Sequence, residues 1–260
     1  MFEAVSFCLV SADSVDNQAL QNLAIQLQKP VLAQDDPAVL LYTYCLLADE
    51  TGLQLMPVNK KSGGPLFVSF ATAQVQRRQQ AGIRQTLARA AGCKAGFRPN
   101  VLDATAGFAA DAFVLAGLGC KVTLLENHPL VYAMLDDALS RALQGHCEQG
   151  RIVSGNMRLL AQQNALEYLA ACSELWDTIY LDPMFPERTK TAKVKKKMQY
   201  LHDLVGFAPD QEEQLLALAI KRAGKRVVVK RPLRAPALAG QSGDLQMCDK
   251  TIRYDVYLCQ

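Results

Sequence analysis

The spacing of hydrophobic residues in the first 70 positions predicts a small domain of short strands and one helix. Four apolar runs have the length and composition of strands: FEAVSFCLV, VLLYTYCL, LQLMPV and PLFVSF. Between the first two, DNQALQNLAIQLQ carries its apolar residues at helical spacing. The polar turn NKKSGG, which contains Lys60 and Lys61, separates the last two runs. We therefore predict a small N-terminal α/β domain over residues 1–75.

After residue 70 the pattern changes to a long helix and then to a regular alternation of strands and helices. Residues 71–91 predict one helix, and from Asn100 five strand-like runs alternate with helices: NVLDATAG, CKVTLLEN, IVSGN, WDTIYLDP and KRVVVKRP. Two further strand-like runs, DLQMCD and IRYDVYLC, close the chain. Such alternation requires a parallel sheet covered by helices on both faces. We predict one α/β domain over residues 76–260.

Polar residues at the ends of these strands are the first candidates for a functional site. Ligands of open parallel sheets bind outside the carboxyl ends of the strands, which share one edge. The residues predicted at that edge are Asp103, Glu126, Asn156, Asp182 and Lys230.

Composition and charge indicate a globular protein without bound metal. Half of the residues are hydrophobic, a fifth are charged, and the net charge is +3, so basic residues matter only where they cluster. Eight scattered cysteines, without a C-x-x-C pair or a histidine at ligand spacing, predict reduced thiols in a reducing compartment. The N-terminus lacks a basic leader, and no apolar run has the roughly 20 residues of a membrane span. We expect a cytoplasmic protein.

The segment VLDATAGFAADAFVLA, residues 101–116, has the pattern of a cofactor-binding turn. An acid ends a strand, small residues follow, and a helix begins, so backbone N–H groups can approach a ligand closely. A dinucleotide fingerprint would require G-x-G-x-x-G, but here Gly107 stands among alanines, and a P-loop is absent. The pattern favours a cofactor without phosphates, such as S-adenosylmethionine, over NAD or ATP. An ordinary strand–helix turn is the alternative.

Two further strand ends are suited to the same cofactor. Glu126 lies 23 residues after Asp103, where an acid in a nucleotide-binding unit accepts hydrogen bonds from ribose hydroxyls. A carboxylate that only stabilises the N-terminus of the next helix is the alternative. Asn156, in the turn SGN, is predicted to contact an adenine edge, although such turns commonly have no role beyond the turn itself.

The stretch Asp182-Pro183-Met184-Phe185-Pro186 predicts a pocket for an exocyclic amine on a base. Such an amine is a poor nucleophile, because its lone pair is delocalised into the ring. The Asp182 carboxylate and a carbonyl of the Pro183 turn can accept its two N–H groups, and Phe185 can stack on the base. A structural Asp-Pro turn is the alternative, in which the aromatic residue has no role.

These motifs in this order resemble the class I S-adenosylmethionine-dependent methyltransferases, and DPMFP is similar to the (D/N)-P-P-(Y/F) motif of enzymes that methylate exocyclic amines. The combination of VLDATAG, DAFVLA, YLDPMFP with the lysines after it, and KRVVVKRP resembles the ribosomal small-subunit RNA methyltransferase J family over nearly the whole chain. The resemblance implies a Rossmann-like fold with a seven-stranded sheet. It also implies transfer of a methyl group from S-adenosylmethionine to N2 of a guanine in small-subunit ribosomal RNA.

Carried over residue by residue, the resemblance implies a set of cofactor-binding positions: Ala110, Asp111, Glu126, Asn127, Gly155, Asn156 and Asp182. The turn GFAAD stands where the family has GLGRD, so Ala110 can contribute only backbone contacts. The family's Glu-Arg pair reads Glu126-Asn127 here.

A cluster of basic residues follows the predicted amine pocket and predicts contacts with RNA phosphates. It comprises Arg188, Lys190, Lys193, Lys195, Lys196 and Lys197. Lys230 and Arg231 at the end of the fifth strand, and Arg77 and Arg78, are predicted to extend this surface. The predicted partner is the small ribosomal subunit or its RNA; a solvated basic face without a partner is the alternative.

Because methyl transfer to an amine requires no strong base beforehand, we favour positioning by Asp182 over proton transfer by His202.

Two other functions remain open at this stage. One is methylation of a different amine, either adenine N6 in DNA or a protein glutamine. The other is a catalytically inactive RNA-binding module of the same fold, for which the altered glycine turn is the support. A dehydrogenase is the weakest alternative, because the phosphate fingerprint is absent.

Overall fold

The computed structural model describes residues 6–11, 17–59, 64–70, 77–78, 80–145, 150, 153–184, 200, 204 and 211–259. Within these ranges the chain forms two compact units. The first comprises residues 1–69, 128–141 and 188–206, and the second comprises residues 70–127, 142–187 and 207–260. The domain boundary between residues 75 and 76 stays a prediction, because compactness does not test which segments fold independently.

The first unit contains a five-stranded mixed sheet and helix α1. Its elements are β1 (Phe7–Ser11), α1 (Asn17–Leu27), β2 (Val31–Ala33), β3 (Tyr44–Asp49), β4 (Gly52–Pro57) and β5 (Leu66–Phe67). The sheet order is β2-β1-β3-β4-β5; β1 is parallel to β2 and β3, and the later pairs are antiparallel. Phe7, Leu9, Leu46 and Leu55 form part of its buried core.

Two sequence predictions in this unit were inaccurate. The run VLLYTYCL is not one strand: Pro37–Leu41 is a 3-10 helix, and β3 begins only at Tyr44. The cause is local, because the Asp36 carboxylate accepts the N–H of Ala38 at 2.8 Å and Pro37 occupies the first helical turn. The three-residue strand β2 was not predicted.

The second unit is built on a seven-stranded sheet, which confirms the predicted α/β fold. Its strands are β6 (Asn100–Asp103), β7 (Lys121–Leu124), β8 (Met157–Leu159), β9 (Trp176–Leu181), β10 (Ala223–Pro232), β11 (Leu245–Cys248) and β12 (Ile252–Leu258). They lie in the order β11-β12-β10-β9-β6-β7-β8. Strands β6 to β10 run parallel, and β12 is antiparallel to β10 and β11.

Five α-helices lie wholly within the described residues that follow the first unit's sheet along the chain. They are α2 (Thr86–Ala90), α3 (Ala110–Gly117), α4 (Pro129–Gln144), α5 (Ala165–Ala171) and α6 (Glu212–Arg222). Helix α4 crosses the division between the units at residues 141 and 142. Helix α3 is almost wholly apolar, so it is buried on nearly all sides. Helix α6 has acids in its first turn and bases in its last, which complements its dipole.

One side of the seven-stranded sheet is covered by α5 and α6. Leu169 of α5 and Leu215, Leu216 and Ala219 of α6 pack in one buried cluster with strand residues of β6, β9 and β10. The strand residues in that cluster are Leu102, Trp176, Ile179, Leu181, Val227 and Val229. This packing fixes the strand ends, where the predicted site lies.

The predicted long helix over residues 71–91 was wrong. Residues 77, 78 and 80 are helical, but Gly82–Arg84 is a 3-10 helix, and α2 begins at Thr86. Gly82 has a φ of +63°, a left-handed conformation that a right-handed helix cannot contain. The apolar spacing of this segment did not reveal that break.

Candidate active site

Three of the predicted carboxylates meet at one edge of the seven-stranded sheet. Asp103 ends β6, Asp182 directly follows β9, and Glu126 lies two residues after β7. Strand β6 pairs in parallel with both β9 and β7, so the carboxyl ends of all three strands lie side by side. Their predicted placement is confirmed.

The turn after β6 joins these strand ends by backbone hydrogen bonds. Ala104 donates to the carbonyl of Tyr180 at 3.0 Å, and Ala106 donates to that of Leu125 at 3.0 Å. Gly107 has a φ of +52° and donates its N–H to Oε2 of Glu126 at 2.9 Å. The small residues therefore place the backbone directly against the Glu126 carboxylate. The following helix, α3, begins without a side-chain cap.

A second link, through Thr105, was missed by sequence reasoning. Its hydroxyl accepts the backbone N–H of Asp182 at 2.6 Å, and its own N–H donates to Oδ1 of Asp103 at 3.2 Å. One residue thus connects two of the three acids. The TAG sequence marks a turn but does not indicate which neighbouring strand its hydroxyl reaches.

The acids of this edge are buried, and burial changes their ionisation. Asp103 is 3% exposed and Glu126 is 7% exposed. Burial raises the pKa of Asp103 well above its usual range, and the negative charges of Asp111 and Asp182 add to that rise. Buried carboxylates accept hydrogen bonds from hydroxyl and ammonium groups but repel phosphate. The edge is therefore suited to a cationic cofactor with a ribose and no phosphate.

The sequence did not predict that Asp111 would be the centre of a charged cluster. This residue of α3 accepts hydrogen bonds from Lys230 Nζ at 2.8 Å and Tyr180 Oη at 2.7 Å, and it forms an ion pair with Arg78. Lys230 Nζ also donates to Oδ2 of Asp182 at 2.7 Å. We call these five residues, Arg78, Asp111, Tyr180, Asp182 and Lys230, the Asp111 cluster.

Ionisation in the Asp111 cluster follows from its pairing. Burial favours the neutral form of Asp111, but the cations of Lys230 and Arg78 outweigh it and hold the pKa of Asp111 well below its usual range. Burial likewise favours neutral Lys230, but Asp111 and Asp182 raise its pKa overall. Burial raises the pKa of Asp182, with Asp111 adding to the rise and Lys230 opposing it. The cluster therefore contains two cations held between carboxylates.

The structure contradicts part of the predicted RNA-binding surface. The Arg231 side chain is 3% exposed, donates to the carbonyl of Pro236 and faces Glu212 at 3.6 Å, so it cannot reach an RNA phosphate. Successive strand residues point to opposite faces, so Lys230 and Arg231 cannot share one surface. The ammonium of Lys230 is bound by two carboxylates, and Arg78 is bound by Asp111. Arg77 is exposed.

The predicted strand IVSGN was also placed wrongly. Strand β8 is Met157–Leu159, so Gly155 and Asn156 precede it and lie at the amino-terminal edge of the sheet. Asn156 Oδ1 accepts a hydrogen bond from Lys121 Nζ at 2.6 Å, at the start of β7. Residues at that edge are far from the carboxyl ends of the strands, so they are not brought together with Glu126.

Gln162 and Gln163 lie beside Glu126 at the carboxyl edge of the sheet, where Gly155 and Asn156 were predicted. They follow the carboxyl end of β8; Gln163 donates its N–H to the carbonyl of Glu126 at 3.3 Å. The side chain of Gln162 donates to the carbonyl of Asn127 at 2.9 Å. Helix α5 begins only at Ala165, after the N-cap Asn164, so residues 161–164 form a loop. Asn164 before an apolar run was the signal for that loop.

The remaining predicted residues divide into exposed and undescribed positions. Ala110 and Asn127 are exposed, and Pro183 and Met184 are half-buried. Phe185, His202, Lys60, Lys61 and the basic residues from Arg188 to Lys197 lie outside the described residues. Across the described ranges, no group of three His, Cys, Asp or Glu side chains is close enough to hold a metal ion. Nor is any helix there sufficiently long and apolar to span a membrane.

Comparison with known proteins identifies relatives over nearly the whole chain. The model of a family described as "Putative SAM-dependent methyltransferase" matches residues 32–259. The ribosomal RNA small subunit methyltransferase J of Cellvibrio japonicus is 42% identical over 246 residues, covering 92% of each chain. The protein of the same name from Edwardsiella ictaluri is 41% identical over 251 residues, covering 96% of each chain.

A solved structure resembles the fold. The crystal structure of a SAM-dependent methyltransferase from Neisseria gonorrhoeae matches with a TM-score of 0.74 and 33% sequence identity. The match covers 96% of this chain and 95% of that one. Both units therefore have counterparts in that protein.

Proposed function

Because this chain belongs to the ribosomal RNA small subunit methyltransferase J family, whose members depend on S-adenosylmethionine, we propose that it methylates the exocyclic N2 of a guanine in small-subunit ribosomal RNA. The observation that carries the proposal is the edge where Asp103, Glu126 and Asp182 meet. Beside these acids, the sequence DPMFP continues from β9.

The residues of the carboxylate edge fit S-adenosylmethionine, which supplies an electrophilic methyl group on a sulfonium sulfur. Glu126 is placed to accept hydrogen bonds from the ribose hydroxyls. Asp103 and the uncapped start of α3 face the methionine end, where an ammonium and a carboxylate require partners of opposite charge. Gln162 and Gln163, rather than Gly155 and Asn156, lie beside Glu126 and are proposed to contact adenine.

Asp182 is proposed to position the amine that receives the methyl group. Its carboxylate accepts one N–H of the guanine N2 amine, and the carbonyl of Pro183 accepts the other. The nitrogen lone pair would form the new N–C bond as the methyl group's bond to sulfur breaks and leaves a neutral thioether, and the amine would lose a proton to solvent only as the N–C bond forms. Positioning of the two reactants supplies most of the acceleration, for which about 7–11 kcal/mol is attainable. Phe185 is proposed to stack on the base.

The proposed partner is the small ribosomal subunit or its RNA, and the proposed compartment is the cytoplasm. The basic residues from Arg188 to Lys197 follow DPMFP in sequence and are suited to neutralising phosphates. Arg77 is exposed and can contribute to the same task. The proposed compartment rests on the eight scattered cysteines, among which the sequence has no C-x-x-C pair.

A methylation assay tests the proposal directly. Labelled S-adenosylmethionine is incubated with undermethylated small subunits, free ribosomal RNA or duplex DNA. The proteins compared are the wild type, Asp182→Asn, and the control Asp177→Asn. Asp177 is half-buried at the opposite edge of the sheet, where it pairs with the exposed Lys225 and accepts the N–H of Asn100. Label is expected in ribosomal N2-methylguanine with the wild type and the control, and about a hundredfold more slowly with Asp182→Asn.

Other outcomes of this assay would reject the proposal. Label in DNA adenine would indicate a different base, and label in protein would indicate a glutamine substrate. Absence of label in every polymer, together with measurable cofactor binding, would favour an inactive RNA-binding module.

A further inference from the structure

Lys230 is placed beside Asp182 by the register of the central strands. Strands β9 and β10 are parallel, and their last paired residues are Leu181 and Val229. Asp182 directly follows Leu181, and Lys230 directly follows Val229. The two residues therefore lie side by side at the carboxyl edge. There Lys230 Nζ binds Oδ2 of Asp182 at 2.7 Å and Oδ2 of Asp111 at 2.8 Å. The pairing of β9 with β10 therefore places the side chains of Asp182 and Lys230 within contact distance.

The surroundings of Lys230 hold its ammonium in one position. Its side chain is 23% exposed, and Asp111 is 9% exposed, so solvent screens this pair weakly. Asp111 is itself fixed by Tyr180 Oη at 2.7 Å and by Arg78. An ammonium held in this way cannot turn outward to an RNA phosphate without breaking its ion pairs with two carboxylates. Lys230 therefore interacts with the carboxylates of Asp111 and Asp182 and not with the RNA backbone.

We propose that Lys230 is a positioning residue for methyl transfer, because its ion pair with Oδ2 fixes the orientation and the negative charge of the Asp182 carboxylate. The inference rests on the proposed function for its catalytic consequence, but the ion pair and its effect on Asp182 exist without any substrate. With Oδ2 held by Lys230, Asp182 presents its remaining acceptor capacity in one direction, toward the exposed third of its side chain. Asp111 acts one step further away, by holding Lys230.

Several ionisable groups influence the charge of Asp182, and the test must separate Lys230 from them. Asp103, Asp111, Tyr180, Arg231 and Tyr254, from β6, α3, β9, β10 and β12, interact electrostatically with Asp182, and Arg78 pairs with Asp111. Among them Asp111 has the opposite charge to Lys230 and lies in the same cluster. Removing Lys230 and removing Asp111 should therefore shift the ionisation of Asp182 in opposite directions.

The experiment compares Lys230→Met, Lys230→Arg and Asp111→Asn with the wild type. The control is Lys225→Met, which lies on the same strand but at its exposed start. Carboxyl NMR titration of the protein without substrate gives the Asp182 pKa, with Asp182→Asn to assign the signal. Single-turnover methylation of saturating small subunits between pH 5 and pH 9 gives the acid limb of the rate profile. Circular dichroism checks folding, and calorimetry gives cofactor affinity.

We expect Lys230→Met to raise the Asp182 pKa and to move the acid limb to higher pH. On the acid limb, at a pH below the Asp182 pKa, its rate should fall about tenfold for each unit of that shift, and it should recover at alkaline pH. Asp111→Asn should move both readouts to lower pH, because it removes a neighbouring negative charge. Lys230→Arg and Lys225→Met should leave both near the wild type. Cofactor affinity should change less than the rate.

Two results would overturn the proposal. One is a Lys230→Met variant whose Asp182 titration and acid limb match the wild type. The other is an equal loss of rate at every pH, which would indicate a merely structural role. Failure of the proposed function has a different signature: the wild type would transfer no label to ribosomal guanine, while the NMR titration of Asp182 would still respond to Lys230. If Lys230→Met fails to fold, Lys230→Gln, which keeps a hydrogen-bond donor but carries no charge, is measured by the same two readouts and decides the question.

Discussion

Asp111 keeps a negative charge inside the protein because three groups surround it. Lys230 and Arg78 supply positive charge, and the Tyr180 hydroxyl supplies a hydrogen bond. The resemblance had implied a cofactor contact for Asp111. Its cofactor role stays a prediction, whereas its pairing with Lys230 and Arg78 is a feature of the fold.

Asp111→Asn should destabilise the protein strongly. Removing Asp111 leaves Arg78 without this carboxylate partner and Lys230 with Asp182 alone, and the expected loss is about 3–5 kcal/mol in the free energy of unfolding. Denaturant unfolding at pH 7 measures it. The matched control is Asp177→Asn. Its partner Lys225 is exposed, so this pair should contribute about 0–1 kcal/mol, and asparagine can still accept the N–H of Asn100. Similar losses in the two variants would contradict the assigned importance of the cluster.

The Asp103→Asn substitution should change how the free energy of unfolding depends on pH. Its effect should have the opposite sign to the removal of an acid whose pKa is lowered by an ion pair. Burial raises the Asp103 pKa in the folded state, so the wild type loses stability as pH rises from about 4 through that raised pKa. Asparagine can keep the hydrogen bond from Thr105 without carrying charge. Denaturant unfolding of the cofactor-free protein at a series of pH values measures the difference.

The Asp103→Asn variant should therefore gain stability relative to the wild type across that window and then keep a constant advantage. Each unit of pKa difference corresponds to about 1.4 kcal/mol. Glu167→Gln, an exposed substitution in the first turn of α5, is the control and should show no such trend. A difference that does not vary with pH would show that burial does not govern the ionisation of Asp103.

At the scale of secondary-structure elements, the C-terminal end of α1 allows a test of helix capping that does not involve core packing. Its last hydrogen bonds run from Lys29 N–H to Ala24 at 3.0 Å and from Gln28 N–H to Ile25 at 3.2 Å, the pattern of a Schellman motif. Gln28 occupies the left-handed position with a φ of +53° and is exposed. Glycine is the residue that normally adopts this conformation without strain.

Gln28→Gly should stabilise the protein by about 0.5–1 kcal/mol, because it removes the strain of a left-handed side chain. Gln26→Gly, two residues earlier and also exposed, is the matched control. It should destabilise the protein by about 0.5–1 kcal/mol, because glycine lowers helix propensity. Thermal and denaturant unfolding measure both. The same sign in the two variants would be inconsistent with the motif.

At the scale of the whole molecule, RNA affinity should depend on the basic residues after DPMFP. Replacing Lys195, Lys196 and Lys197 with Gln should reduce the magnitude of the slope of log affinity against log salt by about 2, if each lysine neutralises one phosphate. Binding to small-subunit RNA over a series of salt concentrations measures this slope. The charge of the protein, +3 overall, is too small to produce such a dependence by itself.

A matched triple variant distinguishes the effect of the basic cluster on RNA affinity from the effect of the protein's net charge. Lys94, Lys121 and Lys225 are exposed at or near the amino-terminal edge of the seven-stranded sheet. Their replacement with Gln should leave the salt slope unchanged. Equal effects of the two triple variants would mean that only net charge matters and would reject a specific basic surface.

Much of the second unit could be predicted because its signals are local. The buried centres of β9 and β10, IYL and VVV, are short apolar runs, and Asp182 directly follows β9 in sequence. The errors also have local causes. An Asp-Pro cap converted part of a predicted strand into a 3-10 helix, Gly82 interrupted a predicted helix, and the apolar Ile152 and Val153 drew a predicted strand forward from β8.

The sequence alone determined the fold class, the order of the strands along the chain, and the acids Asp103, Glu126 and Asp182 at their carboxyl ends. Only the tertiary structure decided the partners of those acids. Lys230 lies 119 positions from Asp111, and Arg78 lies 33 positions from it. The face on which Lys230 or Arg231 lies depends on the register of β10 against β9. Contacts of this kind are set by strand pairing across the sheet, which no local pattern of residues encodes.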